Sequence, residues 1–153
     1  MKKLIFFFTL ILFACSDSYT IEGKIIRVID GDTFVFQGSG KKFKVRMSDI
    51  DAPEISQTFG LRSKDFLQRY LNRRIKLFCK GKDKYKRVLA TVFCDSVNIN
   101  ELEIKLGYAW YTVKFSSNEH YFDLQEAAKS LKLGLWQYEH VEPWIYRLKH
   151  KKL

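Results

Sequence analysis

The sequence predicts a small α+β domain that is mainly β: a five-stranded Greek-key barrel with about three α-helices. Two observations lead to this prediction. A chain of 153 residues has room for one domain with a real hydrophobic core and gives no reason to expect two. Along it, three short β-rich segments come first, then a helical segment, two more β-rich segments, and finally helices.

The first three strands are predicted from alternating residues and from the turns between them. They run over residues 21–29, 33–37 and 43–47, and the third alternates apolar and polar residues cleanly. Residues 30–32 (Asp-Gly-Asp) and 38–40 (Gly-Ser-Gly) are turn sequences. The three strands are therefore expected to form a meander.

A helix and two strands follow. Residues 73–79 and 88–94 are apolar strands, and the polar segment 80–87 joins them as a hairpin loop. The helix before them is indicated by apolar residues that recur on one helical face. These residues are Phe59, Phe66, Leu67, Tyr70 and Leu71.

Two helices complete the domain. Asn100 is predicted to cap a helix over residues 101–106 that Gly107 stops. Ser116 has the capping-box spacing to Glu119 and is predicted to open a longer helix, with Gly134 as its C-cap. This element order is that of an OB-fold, an architecture often used to bind oligonucleotides.

The first 14 residues have the features of a secretory signal. Lys2 and Lys3 precede an apolar run over residues 4–14, which is shorter than the about 20 residues that a membrane-spanning helix needs. The run ends in Leu-Phe-Ala before Cys15, which resembles the lipobox of bacterial lipoproteins. We therefore expect an exported protein of the cell envelope, periplasmic or at the cell surface, lipidated at Cys15. An ordinary cleaved signal, which gives a secreted protein, is the alternative.

Export at this point would leave a tether over residues 15–20, a domain over 21–147 and a basic tail over 148–153. The whole chain carries a formal charge of +10, and loss of the two signal lysines would leave +8. Such a surplus favours anionic partners, either nucleic acid or anionic lipid head groups. Cys79 and Cys94 would remain, and whether they form a disulfide depends on a strand register that the sequence leaves open.

Acidic residues are concentrated in two turns on either side of the second and third strands. Asp30 and Asp32 precede the hairpin, Asp51 and Glu54 follow it, and Arg46 lies between them in the chain. Carboxylates gathered without Cys or His partners suit a hard cation such as calcium or magnesium. The arginine indicates a substrate whose negative charge grows during the reaction.

Seven segments of the chain resemble, in order, the blocks of the staphylococcal-nuclease-like (thermonuclease) family, and they span almost all of residues 21–147. They are residues 28–33 (Val-Ile-Asp-Gly-Asp-Thr), 43–46 (Phe-Lys-Val-Arg), 51–54 (Asp-Ala-Pro-Glu), 83–87 (Asp-Lys-Tyr-Lys-Arg), 107–110 (Gly-Tyr-Ala-Trp), 134–136 (Gly-Leu-Trp) and 143–147 (Pro-Trp-Ile-Tyr-Arg). The resemblance implies a calcium-dependent phosphodiesterase that cuts DNA and RNA.

The resemblance also implies a role for each matching residue. Asp32 and Asp51 would bind Ca²⁺ through their carboxylates and Ala52 through its backbone carbonyl. Glu54 would be the general base for the attacking water, and whether it acts instead as an organiser of water is left open. Arg46 and Arg87 would hold the scissile phosphate, where the planar guanidinium can make two parallel hydrogen bonds.

Two departures from the family pattern affect how the substrate would be held. Lys86 stands where the family often has glycine, which affects how the loop presents Arg87. Val113 and Phe115 replace two tyrosines that cradle the nucleotide in the family. Lys84 and Tyr85, together with Tyr111, are therefore our candidates for substrate binding, with a tyrosine ring stacking on a base. Trp110, Trp136 and Trp144 are expected to be packing residues.

Two rival functions use fewer of these residues. A non-catalytic OB-fold lipoprotein could bind single-stranded nucleic acid, but the full set of acids would then repel phosphate unless a metal lay between them. An envelope protein with a structural or adhesive role leaves the acids unexplained. We expect low sequence specificity, because the predicted contacts are to phosphate, and a preference for single strands, because they fit a groove more readily. We also expect a monomer.

Overall fold

An antiparallel meander of three strands forms one side of a barrel in the computed structural model, which describes residues 18–150. The strands are β1 (Tyr19–Val28), β2 (Thr33–Gly38) and β3 (Lys41–Met47). Alternate side chains point inward, so that Phe34, Phe36 and Val45 are fully buried. The predicted meander is confirmed.

Two further strands close the barrel. β5 (Arg74–Lys82) pairs antiparallel with both β1 and β6 (Val88–Cys94). β6 then pairs in parallel with β3, at Val45 opposite Val88 and Met47 opposite Ala90. The predicted five-stranded OB-fold barrel is therefore confirmed.

Short elements connect and cover these strands. Four α-helices, rather than about three, lie in the described part of the chain. The helices are α1 (Gly60–Gln68), α2 (Ile99–Lys105), α3 (Glu119–Ser130) and α4 (Pro143–Lys149). The short strands are β4 (Ile50–Asp51), β7 (Val97–Asn98) and β8 (Trp110–Tyr111), and single 3₁₀ turns cover Val113–Phe115 and Gly134–Gln137.

The predicted caps of α2 and α3 are wrong by two residues. Asn98, not Asn100, caps α2 by accepting a hydrogen bond from the backbone N–H of Glu101. Asn118, not Ser116, caps α3 in the same way. Each first turn needs an acceptor for its free N–H groups, and a neighbouring asparagine supplies it in both helices.

The C-terminal end of α3 also differs from the prediction. The helix ends at Ser130, and Lys132 is the left-handed residue that directly follows its end; Gly134, the predicted C-cap, is also left-handed but lies further along the chain. Gly134 instead begins the 3₁₀ turn and packs against the backbone of Gly107. This contact joins the end of α3 to the end of α2.

Both ends of the domain extend into segments predicted to be outside it. β1 begins at Tyr19, inside the predicted tether, and α4 continues to Lys149, inside the predicted tail. The predicted signal segment and Cys15 lie outside the described residues. Over residues 18–150, every helix is too short or too polar to traverse a lipid bilayer.

Cys79 and Cys94 are both free thiols in the core. Cys79 lies opposite Ala90 in the β5–β6 register, whereas Cys94 lies four residues further along β6. Four residues of strand span about 13 Å, beyond the roughly 7 Å that a disulfide allows between Cα atoms. The register therefore settles the question that the sequence left open.

Candidate active site

The predicted site residues, except Tyr111, line one open cleft of about 720 Å³ at the end of the barrel. Five separate parts of the chain form it: the turn before β2, the end of β3 with the β4 segment after it, the β5–β6 loop, Thr112 after β8, and α4. The residues that line the cleft include Asp32, Thr33, Arg46, Asp51, Ala52, Glu54, Asp83, Lys84, Tyr85, Arg87 and Arg147.

The turn at residues 30–32 holds Asp32 in a buried position. Its Oδ2 accepts a hydrogen bond of 2.7 Å from the backbone N–H of Ala52, and its Oδ1 accepts one from Thr33. Gly31 makes this approach possible, because a Cβ there would lie 2.6 Å from that of Ala52 and would also collide with Ser63. The glycine of the Asp-Gly-Asp turn thus packs the turn against the segment that carries Asp51.

Arg46 connects the two acids. Its Nε lies 3.1 Å from Asp32 and its Nη2 lies 2.9 Å from Asp51, while Nη1 donates to the backbone oxygen of Met47. Burial raises the pKa of Asp32 to about 6, against the opposing effect of Arg46, and burial also raises the pKa of Asp51. Because burial disfavours the charged form of both carboxyl groups, a neighbouring positive charge is needed to keep them ionised.

The β5–β6 loop presents Arg87 beside Arg46. Asp83 binds the Nε of Arg87 at 2.7 Å and also accepts hydrogen bonds from the backbone N–H groups of Tyr85 and Arg87. Burial would raise the pKa of Asp83, but these hydrogen bonds lower it. The Nη1 of Arg87 lies 3.4 Å from the hydroxyl of Thr33, the residue that faces Arg46 across β2 and β3. The two arginines therefore flank one residue at the end of the barrel.

Lys84 and Tyr85 lie at the rim of the cleft. The Tyr85 ring is 68% exposed, with the Lys84 ammonium 5.1 Å and the Arg87 guanidinium 5.4 Å from its centre. An exposed ring between cations can stack on a base while the cations meet phosphate. Lys86 adopts a left-handed φ of 63° in this loop, so the turn forms without the usual glycine.

Tyr111, the third candidate for substrate binding, does not line the cleft. Its side chain is buried, and its hydroxyl donates to the backbone oxygen of Ser116 and accepts from the N–H of Asn118. Tyr111 lies in β8, whose pairing with Ile50 supports β4 and Asp51. Its contribution to the cleft is structural.

Two of the three tryptophans pack as expected. Trp110 and Trp136 are buried and meet edge to face at 4.3 Å between ring centres. Trp144, on α4, is 37% exposed and makes an edge contact with Trp110. This aromatic group connects α4 to the rest of the domain.

Glu54 and Arg147 form a pair that the sequence did not reveal. The Nη1 of Arg147 lies 2.8 Å from the carboxylate of Glu54, and its Nη2 lies 2.7 Å from that of Asp51. Arg147 stands on α4, 93 residues from Glu54. Residues 143–147 resemble a block of the family, but their spacing alone gives no signal that Arg147 reaches the acids.

The donor set of the cleft fits a hard divalent cation. Asp32 and Asp51 offer buried carboxylate oxygens, and Ala52 follows Asp51 directly with a backbone carbonyl. Within residues 18–150, no group of three or more His, Cys, Asp or Glu side chains is gathered as a complete metal site. A cation here would therefore need water or substrate oxygens as further ligands, as magnesium and calcium commonly do.

An OB-fold barrel whose open end carries paired acids and paired arginines is suited to binding phosphate, because a guanidinium group can make two parallel hydrogen bonds to phosphate oxygens. The sequence profile described as "Staphylococcal nuclease homologue" matches residues 44–138. The chain belongs to the staphylococcal nuclease family.

Its curated relatives include bacterial proteins of similar length. An uncharacterized endonuclease of Haemophilus influenzae is 37% identical, with 99% of this chain and 85% of the relative aligned. An uncharacterized endonuclease of Escherichia coli is 33% identical, with 90% and 89% aligned. A micrococcal nuclease of Shigella flexneri is 30% identical, with 82% and 80% aligned.

Proposed function

We propose that this protein is a calcium-dependent nuclease that hydrolyses phosphodiester bonds of DNA and RNA with low sequence specificity. One observation carries the proposal: two buried carboxylates, two arginines and a further carboxylate from distant parts of the chain converge on one cleft. Family membership and the names of the relatives support the same reaction class.

In this proposal Asp32, Asp51 and the carbonyl of Ala52 hold Ca²⁺. When bound, the cation stabilises charge on a phosphoryl oxygen and acidifies water. Glu54, at the cleft edge with its side chain 35% exposed, takes the proton of the attacking water.

Arg46 and Arg87 bind the phosphoryl oxygens from the two sides of Thr33. Their charge matters most where negative charge develops, so they lower the barrier more than they strengthen ground-state binding. Lys84 contacts a neighbouring phosphate, and Tyr85 stacks on a base. Neither contact reads a base edge, which gives the low specificity. Single strands are preferred because an unpaired base can reach the ring.

The test is cleavage of a labelled single-stranded DNA, and of an RNA of the same sequence, by residues 16–153. Wild type is measured in calcium and in excess chelator, beside Glu54→Gln and a matched control, Glu119→Gln, which changes an exposed acid of α3 outside the cleft. We expect calcium-dependent cutting that falls by about 10² to 10⁴ in Glu54→Gln alone. Binding without cutting in any divalent metal would instead identify a single-strand-binding protein.

We further propose that the chain is exported and anchored to the cell envelope by a lipid on Cys15. The signal-like residues 1–14 and the sequence before Cys15 support this placement. Wild type expressed in a bacterial host should be found in the membrane fraction and should partition into the detergent phase. Cys15→Ser should do neither. Equal partitioning of the two forms would exclude the anchor. We expect the domain to be a monomer, which gel filtration tests.

A further inference from the structure

Arg147 makes three hydrogen bonds to acids of the cleft, two to Asp51 and one to Glu54. Its two terminal nitrogens contact both carboxylate oxygens of Asp51, at 2.7 and 3.2 Å, and one of them also contacts Glu54 at 2.8 Å. Its helix is held to the segment after Glu54 by the hydroxyl of Tyr146, which lies 2.9 Å from that of Ser56.

The hydrogen bonds to the two aspartates leave little room for a cation. Both oxygens of Asp32 accept hydrogen bonds, from Thr33 and from the N–H of Ala52, and Arg46 also contacts the first of them. Both oxygens of Asp51 also accept hydrogen bonds. Oδ1 accepts one from Arg46 and one from Arg147, and Oδ2 accepts one from Arg147. Each carboxylate, with about four acceptor positions, already accepts three contacts. A cation bound by both aspartates therefore competes with these donors for the space around the same oxygens.

Arg147 is the donor best able to leave. Its side chain is 47% exposed and stands on a helix of seven residues near the end of the chain. The Arg46 side chain is 15% exposed, lies on a barrel strand, and also donates to the carbonyl of Met47. Moving Arg147 away from Asp51 requires little backbone rearrangement, whereas moving Arg46 would disturb β3.

We propose that Arg147 is a positioning residue that acts as the counter-ion of the cation site. It neutralises Asp51 and holds Glu54 until a divalent cation binds, and the cation then displaces it. The inference rests on the proposed function, because it takes the cation to be bound by Asp51. Displacement also releases the Glu54 oxygen that Arg147 occupies, so cation binding and release of the base occur together.

The first test is calcium affinity, measured by titration calorimetry on residues 16–153 without substrate. Arg147→Gln should bind Ca²⁺ about 5- to 150-fold more tightly than wild type, the range of ordinary coupling between two binding events. Arg147→Lys keeps the charge but cannot make the two-pronged contact, so its affinity should lie between the two. Lys105→Gln is the matched control: it removes one charge from the exposed end of α2, outside the cleft, and should change the affinity little.

A second measurement follows Arg147 in the wild-type protein and needs only Arg147→Lys, which keeps the charge, for assignment. The guanidinium ¹⁵N signals of Arg147, assigned by their disappearance in Arg147→Lys, should shift during a calcium titration with the midpoint found by calorimetry. In excess chelator, the melting temperature of Arg147→Gln should also be lower than that of wild type, because Asp51 and Glu54 then lack their counter-ion.

Unchanged guanidinium signals at saturating calcium, or equal or weaker calcium affinity in Arg147→Gln, would overturn the inference. Parallel cleavage assays separate this failure from that of the proposed function. If wild type cuts DNA in calcium while the affinities are equal, the nuclease stands and the role of Arg147 falls. If no form binds calcium and none cuts, both fail.

Discussion

Glu103 is a buried acid in α2, on the side of the helix that faces the barrel core. It is fully buried, and neither carboxylate oxygen has a hydrogen-bond partner among the described residues. Burial raises the pKa of Glu103 well above its ordinary value, and the nearby charge of Asp32 adds to the effect. An unpartnered polar group in the core costs about 1–3 kcal/mol.

Glu103→Leu should stabilise the domain by an amount that grows with pH. Below the ordinary pKa of about 4.3, both folded and unfolded chains hold the proton. Above it, the unfolded chain ionises while the folded chain resists, so the stability of wild type falls by up to about 1.4 kcal/mol per pH unit until the raised pKa is reached. The variant has no carboxyl at this position and does not show this fall.

Urea unfolding of both proteins at pH 4, 6 and 8 in chelator measures this prediction. The informative quantity is the difference in the free energy of unfolding between variant and wild type, because Asp32 and Asp51 titrate in both proteins. Glu119→Gln, which changes an exposed acid of α3, is the control and should change the free energy of unfolding by no more than about 0.5 kcal/mol at each pH. A constant difference for Glu103→Leu would contradict the prediction.

The β5–β6 loop stores strain at Lys86. A left-handed conformation costs a residue with a side chain about 1–2 kcal/mol, and this loop keeps it because Asp83 and Arg87 hold the turn closed. Lys86→Gly should remove the strain, partly offset by about 0.4–1 kcal/mol of extra unfolded-chain entropy. We expect a net gain of about 0.5–1 kcal/mol in the free energy of unfolding.

Chemical denaturation of Lys86→Gly and Lys86→Ala separates backbone strain from side-chain effects. Alanine removes the lysine chain but keeps the strain, so its free energy of unfolding should stay near that of wild type. A gain of the same size in both variants would mean that the side chain, not the backbone, is responsible.

The outer face of the meander carries a basic surface that continues from Arg46. Lys44 lies two residues before Arg46 on β3, and Lys42 two residues before Lys44; Lys24 and Arg27 of β1 lie in the same two rows of the sheet. None of these four exposed cations has an ion pair with another residue of the 18–150 segment. Strand positions two apart are separated by about 6.8 Å, which suits successive phosphates of an extended strand.

Lys42→Gln/Lys44→Gln should weaken binding of a single-stranded DNA longer than the cleft, measured in chelator to prevent cutting. The dependence of log affinity on log salt should become shallower by about 0.7 for each phosphate that the variant no longer neutralises. Lys105→Gln/Lys132→Gln, a pair of exposed lysines at the ends of α2 and α3, is the control and should leave the slope unchanged. If both double variants gave the same slope of log affinity against log salt, the single-stranded DNA would not bind along this basic surface.

Periodicity identifies most of these elements, but it does not identify their ends. The existence of α2 is predictable because a capping asparagine and Gly107 bracket a short helical segment. Its cap is not, because Asn98 and Asn100 are equally good caps locally, and the barrel decides between them. Asn100 is recruited into the core, where its side chain bonds Val92 and Ser48.

At the scale of the whole molecule, the barrel and the convergence of the cleft acids and arginines could be expected from the sequence. Strand alternation, turn glycines and the order of the family blocks all indicate the same topology, and Asp32, Arg46, Asp51, Glu54 and Arg87 do line one cleft. Arg147 and Tyr111 could not be placed in this way. Their positions depend on how α4 and β8 pack against β4, which is a long-range contact that no local pattern records.

The described core, residues 18–150, contains no disulfide. Its main core is one apolar cluster that includes Cys79 and Cys94 as small buried side chains. Burial raises the pKa of both thiols, which keeps them protonated and unreactive in the folded protein. The two strand positions are also too far apart to be joined without moving β5 against β6.

Residues 16–153, which contain these two cysteines and no others, should therefore melt at the same temperature with and without reductant. Thiol titration should find two reactive groups in denaturant and slow reaction of both in the native protein, because the thiolate is the reactive form and burial disfavours it. A melting temperature that falls with reductant, or fewer than two thiols in denaturant after purification in air, would show a disulfide. It would also mean that β5 and β6 pair in another register, which would move Asp83 and Arg87 relative to Arg46.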